Sequence, residues 1–237
     1  MKNNFERFNI DPILSEAIQN FFQETLDLYK VLPKYLKEWA DLGWFLGLHS
    51  TPGEMNTARY YLDENDIESL DEFFIEYIDE NFDYFQKRIF ELYPDREKII
   101  GDALNAHSEG SYNLSIPVLL TQIDGICYEA LQVYFFSKTK KQPRTQKRLE
   151  AIPLMEGGVL EVLLTPMKNN IEISSNKNDS VQKENNSFNR HEIIHGISTD
   201  YGTKVNSYKT ISLLYYVVDM SFELKREMKK RMGEATL

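Results

Sequence analysis

The stretch Asn189-Arg190-His191-Glu192-Ile193-Ile194-His195-Gly196 decides how this chain is read. From His191 it spells H-E-x-x-H. On a helix the two imidazoles lie one turn and about 40° apart, so they can share a metal ion with Glu192 as base. From Arg190 it spells R-x4-H. The guanidinium and the second imidazole then diverge by about 140° on one helix. The flanking residues are turn chemistry. Asn189 stands three residues before Glu192, the spacing of a capping box. Gly196 follows His195 directly and is a natural helix stop. The spacing predicts a helix of about two turns in which Glu192 has a capping role. No Gly-x-x-His follows to supply a third ligand, and Glu223 falls inside a strongly patterned helix. No metal and no cofactor are therefore expected.

Outward from this stretch, apolar residues recur at helical spacing and alternation at period two is nearly absent. A first helix opens after Asp11-Pro12, with Ile13, Ile18, Phe21, Phe22, Thr25, Leu28 and Tyr29 on one stripe, and Pro33 is expected to end or kink the chain beyond it. An acidic helix carries Phe73, Phe74, Tyr77, Ile78, Phe82 and Phe85. After Tyr93-Pro94-Asp95, two helices are expected at about 95–108 and 112–136, meeting at Gly110. A final helix should run from about Lys204 to Met232. The fold expected is all-α: an N-terminal helical region over 1–93, then a four-helix bundle over 94–237 interrupted by a long loop at about 137–188. Lys168 to Ser187, rich in Asn, Ser and Lys, reads as mobile loop.

The 237 residues carry a formal net charge of −10, which argues against a general nucleic-acid binder. The charge is unevenly spread, however. Asp63 to Asp83 holds acids and no base, whereas Ser137 to Arg148 holds Lys138, Lys140, Lys141, Arg144, Lys147 and Arg148 and no acid. Such a patch attracts phosphate on a molecule that is acidic as a whole. Cys127 is the single cysteine, so no intrachain disulfide forms, which suits a reducing cytoplasm. No apolar run approaches a membrane span and the N-terminus has no signal core, so a cytoplasmic location without membrane contact is expected.

The run from Asn189 to Gly196, followed by Asp200-Tyr201-Gly202-Thr203-Lys204, Asn206-Ser207 and Leu213-Leu214, resembles the C-terminal motif of a group of bacterial HEPN-like proteins. Upstream, Ala106-His107, Gly110-Ser111-Tyr112 and Leu119-Leu120-Thr121-Gln122-Ile123-Asp124-Gly125-Ile126 resemble the paired helices that precede it. The likeness covers about 94–232 and leaves the N-terminal ninety or so residues unexplained. It implies a metal-independent endoribonuclease, a homodimer whose two motifs face one cleft, acting in phage defence or as a toxin held by an antitoxin or another regulatory protein. Arg190 and His195 are then catalytic, with His191, Asn189 and Asp124 auxiliary. A histidine near neutral pKa moves the 2′-hydroxyl or 5′-oxygen proton, and a guanidinium holds the scissile phosphate. Asp124, midway along an apolar helix, is placed to orient Arg190; His107 and Glu109 are lesser candidates. Tyr201 and Tyr208 read as packing groups. The basic residues at 138–148 would contact RNA. A non-catalytic HEPN-like module that binds nucleic acid or protein stands as the alternative, and an H-E-x-x-H zinc peptidase as a remote one.

Overall fold

A computed structural model describes residues 12–154, 157–174 and 188–234. The expectation of a mobile segment falls largely on 175–187, outside the described residues, as do Asp11 and the side chains of Ile13 and Phe21. Among the described residues the protein is all-α, and the only strand pairing is a two-residue ribbon.

Helix α1 (Pro12–Leu42) continues past Pro33 and does not end there. Proline forfeits one hydrogen bond there, but Leu28, Leu32, Leu36, Trp39 and Ala40 form one buried stripe on both sides of it. Burying a leucine contributes about 1.5–3 kcal/mol, so the stripe outweighs the roughly 3 kcal/mol cost of an interior proline. The helix stops at Gly43 in the left-handed region, φ +92°, where the Trp44 amide reaches back to the Trp39 carbonyl at 2.8 Å. Trp44 then stacks on Phe74 at 4.8 Å and donates its indole N–H to Asp71 at 2.6 Å.

Helix α2 (Pro52–Asp63) begins with a full capping box between Thr51 and Glu54. Helix α3 (Ile67–Leu92) is capped by Asp66 and buries Leu70, Phe74, Tyr77, Ile78, Phe85 and Ile89. Phe73 and Phe82 sit at the edge of that stripe. A short 3-10 turn (Pro94–Arg96) leads into α4 (Glu97–Ser108), and Gly110 at φ +75° turns the chain into α5 (Tyr112–Leu131).

Helix α5 ends five residues earlier than periodicity suggests, because Gln132 takes the left-handed conformation, φ 58°. By length and composition α5 could cross a membrane, but 56% of its apolar window is buried in the fold. Helix α10 (Lys204–Glu234) packs along α5 and against α3, and α4 also packs on α5. Leu213, Leu214, Tyr216, Val217, Val218 and Met220 of α10 have no exposed surface. One connected set of buried apolar residues runs from Leu28 to Leu224, so the core is continuous across the boundary expected at 93/94.

The stretch expected as loop, 137–188, is largely ordered where it is described. Strands β1 (Lys138–Thr139) and β2 (Gln142–Pro143) form a hairpin whose turn residues Lys140 and Lys141 both have positive φ. Helices α6 (Arg144–Glu150), α7 (Val159–Leu163) and α8 (Thr165–Lys168) come next. They are too short to carry a periodic signal and are fixed from outside. The Tyr216 hydroxyl donates to the Leu163 carbonyl at 2.8 Å, Thr145 bonds the Met167 carbonyl, and α7 and α8 lie against α1.

Candidate active site at the α9 turn

Helix α9 (Arg190–Ile194) is built by its two ends. The Asn189 side chain accepts from the His191 amide at 3.0 Å and the Glu192 amide at 3.3 Å. At the other end Gly196 is left-handed, φ +67°. Its amide reaches Ile193 O, while the Ile197 amide reaches Glu192 O at 2.8 Å. These are the paired bonds of a Schellman motif, so the helix cannot propagate past His195. Asn189 thus acts as the cap expected of it, and His195 occupies the C-cap, exposed to solvent.

Arg190, at the first helical position, reaches Asp124 of α5. Its Nη2 donates to Asp124 Oδ2 at 2.9 Å. Asp124 Oδ1 accepts the Phe136 amide at 3.1 Å, and the guanidinium lies over the Phe136 ring, 5.5 Å from its centroid. The early end of α5 makes this possible. On a continuous helix residues 124 and 136 would be about 18 Å apart, at 1.5 Å rise per residue. Burial pushes the Asp124 carboxyl above the usual carboxylate range, and the Phe136 amide and Arg190 pull it back. Arg190 Nε is buried without a hydrogen-bond partner among the described residues. The guanidinium is therefore held by one charge-assisted bond and one ring face, with donor capacity left over.

His191 and His195 meet across one helical turn, ring centroids 4.4 Å apart and planes tilted by 54°. No hydrogen bond joins Arg190 to either imidazole among the described residues. Nor does any group of three His, Cys, Asp or Glu side chains there converge as a metal site would require.

The structure divides the other candidates. Lys140, Arg144, Lys147 and Arg148 line one cleft of about 790 Å³, together with Val133, Pro143 and Ala151. Lys138 and Lys141 instead line a second hollow with Asp41 and Glu172. His107 is a core residue. It is 6% exposed, its Nδ1 lies 2.8 Å from Ser207 Oγ, and Phe82, Tyr112 and Tyr208 surround its ring. Burial pushes its imidazole down to about 4, which removes it from acid–base work near neutral pH. Glu109 caps α4 and is exposed. Tyr208 is buried, donating to Asp79 at 2.5 Å, and Tyr201 donates to the Asn113 carbonyl at 3.1 Å, so both pack as expected.

Two features escaped the sequence. Phe136 enters the site through its main-chain amide, which no residue type announces. On α10, Asp219 is buried with Arg88 Nε at 3.3 Å and His49 Nε2 at 3.4 Å; in sequence it registers only as an interruption of an apolar run. No family model matches the chain, and neither a curated protein nor a solved structure does.

Proposed function

We propose that the protein is a metal-independent endoribonuclease of the HEPN type. The observation that carries this is the assembly at α9: two imidazoles in contact, the outer one exposed, beside an arginine oriented by a half-buried carboxylate. Within residues 94–237, α4 and α10 both pack on α5 and α9 docks at its Asp124, and we read these four as the HEPN-like bundle. His195 takes the 2′-hydroxyl proton, the 2′-oxygen attacks phosphorus, and the 5′-oxygen leaves with a proton returned by an imidazole. The products are a 2′,3′-cyclic phosphate and a 5′-hydroxyl. Arg190 balances charge on the phosphoryl oxygens through the donors Asp124 leaves over, and His191 assists.

A homodimer belongs to this proposal, because Arg190 and His195 occupy opposite ends of a five-residue helix. A two-fold partner brings a second copy of each to the same phosphate, over an interface of more than about 1,000 Å². We place the protein in the cytoplasm, as a toxin or defence nuclease with RNA as substrate and a regulatory protein or antitoxin as further partner.

Cleavage of RNA in EDTA with a cyclic-phosphate end tests the chemistry. His195→Ala should remove activity by roughly 10²- to 10⁴-fold while the variant stays folded, and light scattering should report a dimer at micromolar concentration. One observation favours the non-catalytic binding module instead: Arg190 is already engaged by Asp124 and only 26% exposed. Intact RNA throughout, or full activity in His195→Ala, would make that module the better account.

A further inference from the structure

The C-terminal end of α5 carries an unusual surface. Tyr128 and Tyr134 stack face to face, centroids 4.8 Å apart and planes within 21°, yet they are 41% and 51% exposed. Two aromatic rings held in parallel in water lie ready for a third ring rather than completing a core. Tyr128 is four residues after Asp124, hence one turn along the same face of α5, roughly 6 Å away. The pair therefore begins one turn from the Asp124–Arg190 contact.

The turn between the two tyrosines leads to the basic cleft. Val133, next to Tyr134, lines that cleft, and Arg148 donates its Nε to the Leu131 carbonyl of the same turn at 3.0 Å. Arg144, Lys147 and Arg148 are spaced to share one face of α6, and the hairpin adds Lys140. All four are exposed, and none pairs with a carboxylate among the described residues, although Glu150 lines the same cleft. On a chain of net charge −10, four such cations around one cleft are a local field that favours a polyanion.

We propose that the cleft and the tyrosine pair form a binding track for a single-stranded nucleic acid, its phosphates on the four basic residues and an unpaired base on the tyrosines. A duplex keeps its bases stacked internally and has no free face to offer, whereas a single strand satisfies both halves of the surface. The track deepens the ribonuclease proposal and rests on it only for the strand's continuing toward His195. Binding itself is independent of cleavage.

The test uses the full-length His195→Ala protein and fluorescein-labelled 12-nucleotide probes: single-stranded RNA, the same sequence as DNA, and the RNA duplex. The RNA strand should bind at least about tenfold more tightly than the duplex, whether or not the DNA strand binds as well. Tyr128→Ala/Tyr134→Ala should weaken binding by roughly tenfold or more, with the salt dependence unchanged. Lys140→Gln/Lys147→Gln should flatten the salt slope by about 1.4, at roughly 0.7 per phosphate contact of a single strand. Photocrosslinking of a 4-thiouridine probe to the otherwise unmodified chain, mapped by mass spectrometry, should label residues 128–148 and does not depend on the tyrosine variant folding. Equal affinity for duplex and strand, unchanged binding without the tyrosines, or crosslinks confined elsewhere would overturn the proposal. Binding without cleavage by the unsubstituted protein would count against the ribonuclease alone, and cleavage without this binding against the track alone.

Discussion

Cutting the contact between Arg190 and Asp124 separates its two possible jobs, holding α9 in place and meeting a phosphate. Arg190 is 26% and Asp124 13% exposed, between the surface and the core. Breaking one side of a fully buried pair costs about 3–5 kcal/mol and of an exposed pair about 0–1, so Arg190→Met should cost about 2 kcal/mol. Asp124→Asn keeps an acceptor for the Phe136 amide and should cost about the same, whereas Asp124→Ala also strands that amide and should cost about 1 kcal/mol more. The coupling in an Arg190→Met/Asp124→Asn cycle should be about 1–2 kcal/mol. Urea denaturation of the four members of the cycle and of Asp124→Ala at pH 7.5 measures all of this, and for a chain of this size each kcal/mol should also lower Tm by about 2–4 °C. Additive single effects below about 0.5 kcal/mol would refute the anchoring role. Arg190→Lys separates the functions further: it keeps a charge for Asp124 and much of the stability, but lacks the planar fork that grips a phosphoryl group.

Two further outcomes rest on residues away from the site. His107 is held neutral by burial, its imidazole pushed down from 6.5 to about 4, so its contribution is fully present above pH 6.5 and is lost as pH falls through 4. At 1.36 kcal/mol per pH unit, the stability gap between the unsubstituted protein and His107→Gln should shrink by up to about 3 kcal/mol between pH 7.5 and 4; a gap that stays constant would mean the ring is not buried neutral. At Gly125 a Cβ would lie 2.8 Å from the Arg96 guanidinium, so Gly125→Ala should gain about 1 kcal/mol of helix propensity only in an Arg96→Ala background. The same gain with Arg96 present, read from denaturation midpoints, would show that Arg96 does not need the gap.

How much is legible in the sequence depends on which physical terms residue types report. Apolar periodicity reports long helices, so α4 and α10 can be placed within a few residues, while α5 is found but overrun by five at its C-terminal end. An acid amid the apolar stripe of α5 demands a partner, and Arg190, 66 residues on, supplies it. The capping residues of α9 are readable because Asn and Gly act locally. Tertiary terms are hidden. Nothing near Pro33 announces that burial on both sides carries the helix through. His107 looks available in sequence because the rings that enclose it come from three different helices. The basic run reads as one patch, but across a two-residue hairpin turn Lys138 and Lys141 line one hollow and Lys140 another.

The clearest link between sequence and function is α5 viewed down its axis. At 100° per residue, counting from Gln122, the residues Ile116, Leu119, Leu120, Ile123, Ile126 and Cys127 fall at roughly 40–160°. All six are fully buried. Gln122, Gly125 and Glu129 fall at roughly 300–360°. There Arg96 lies flat across Gly125, bonded to Gln122 at 2.5 Å and paired with Glu129. Asp124 and Tyr128 fall at roughly 200–240°, the sector that receives Arg190 and Tyr134. Half of the Gln122-Ile123-Asp124-Gly125 signature is thus spent on seating an arginine that never approaches α9. Of the other two, Ile123 is packed in the core, and Asp124 alone opens onto the sector that holds the Arg190 guanidinium and, one turn on, the tyrosine pair. A substitution in the first sector should lower stability without changing what is bound, and one in the second should change binding or cleavage out of proportion to stability.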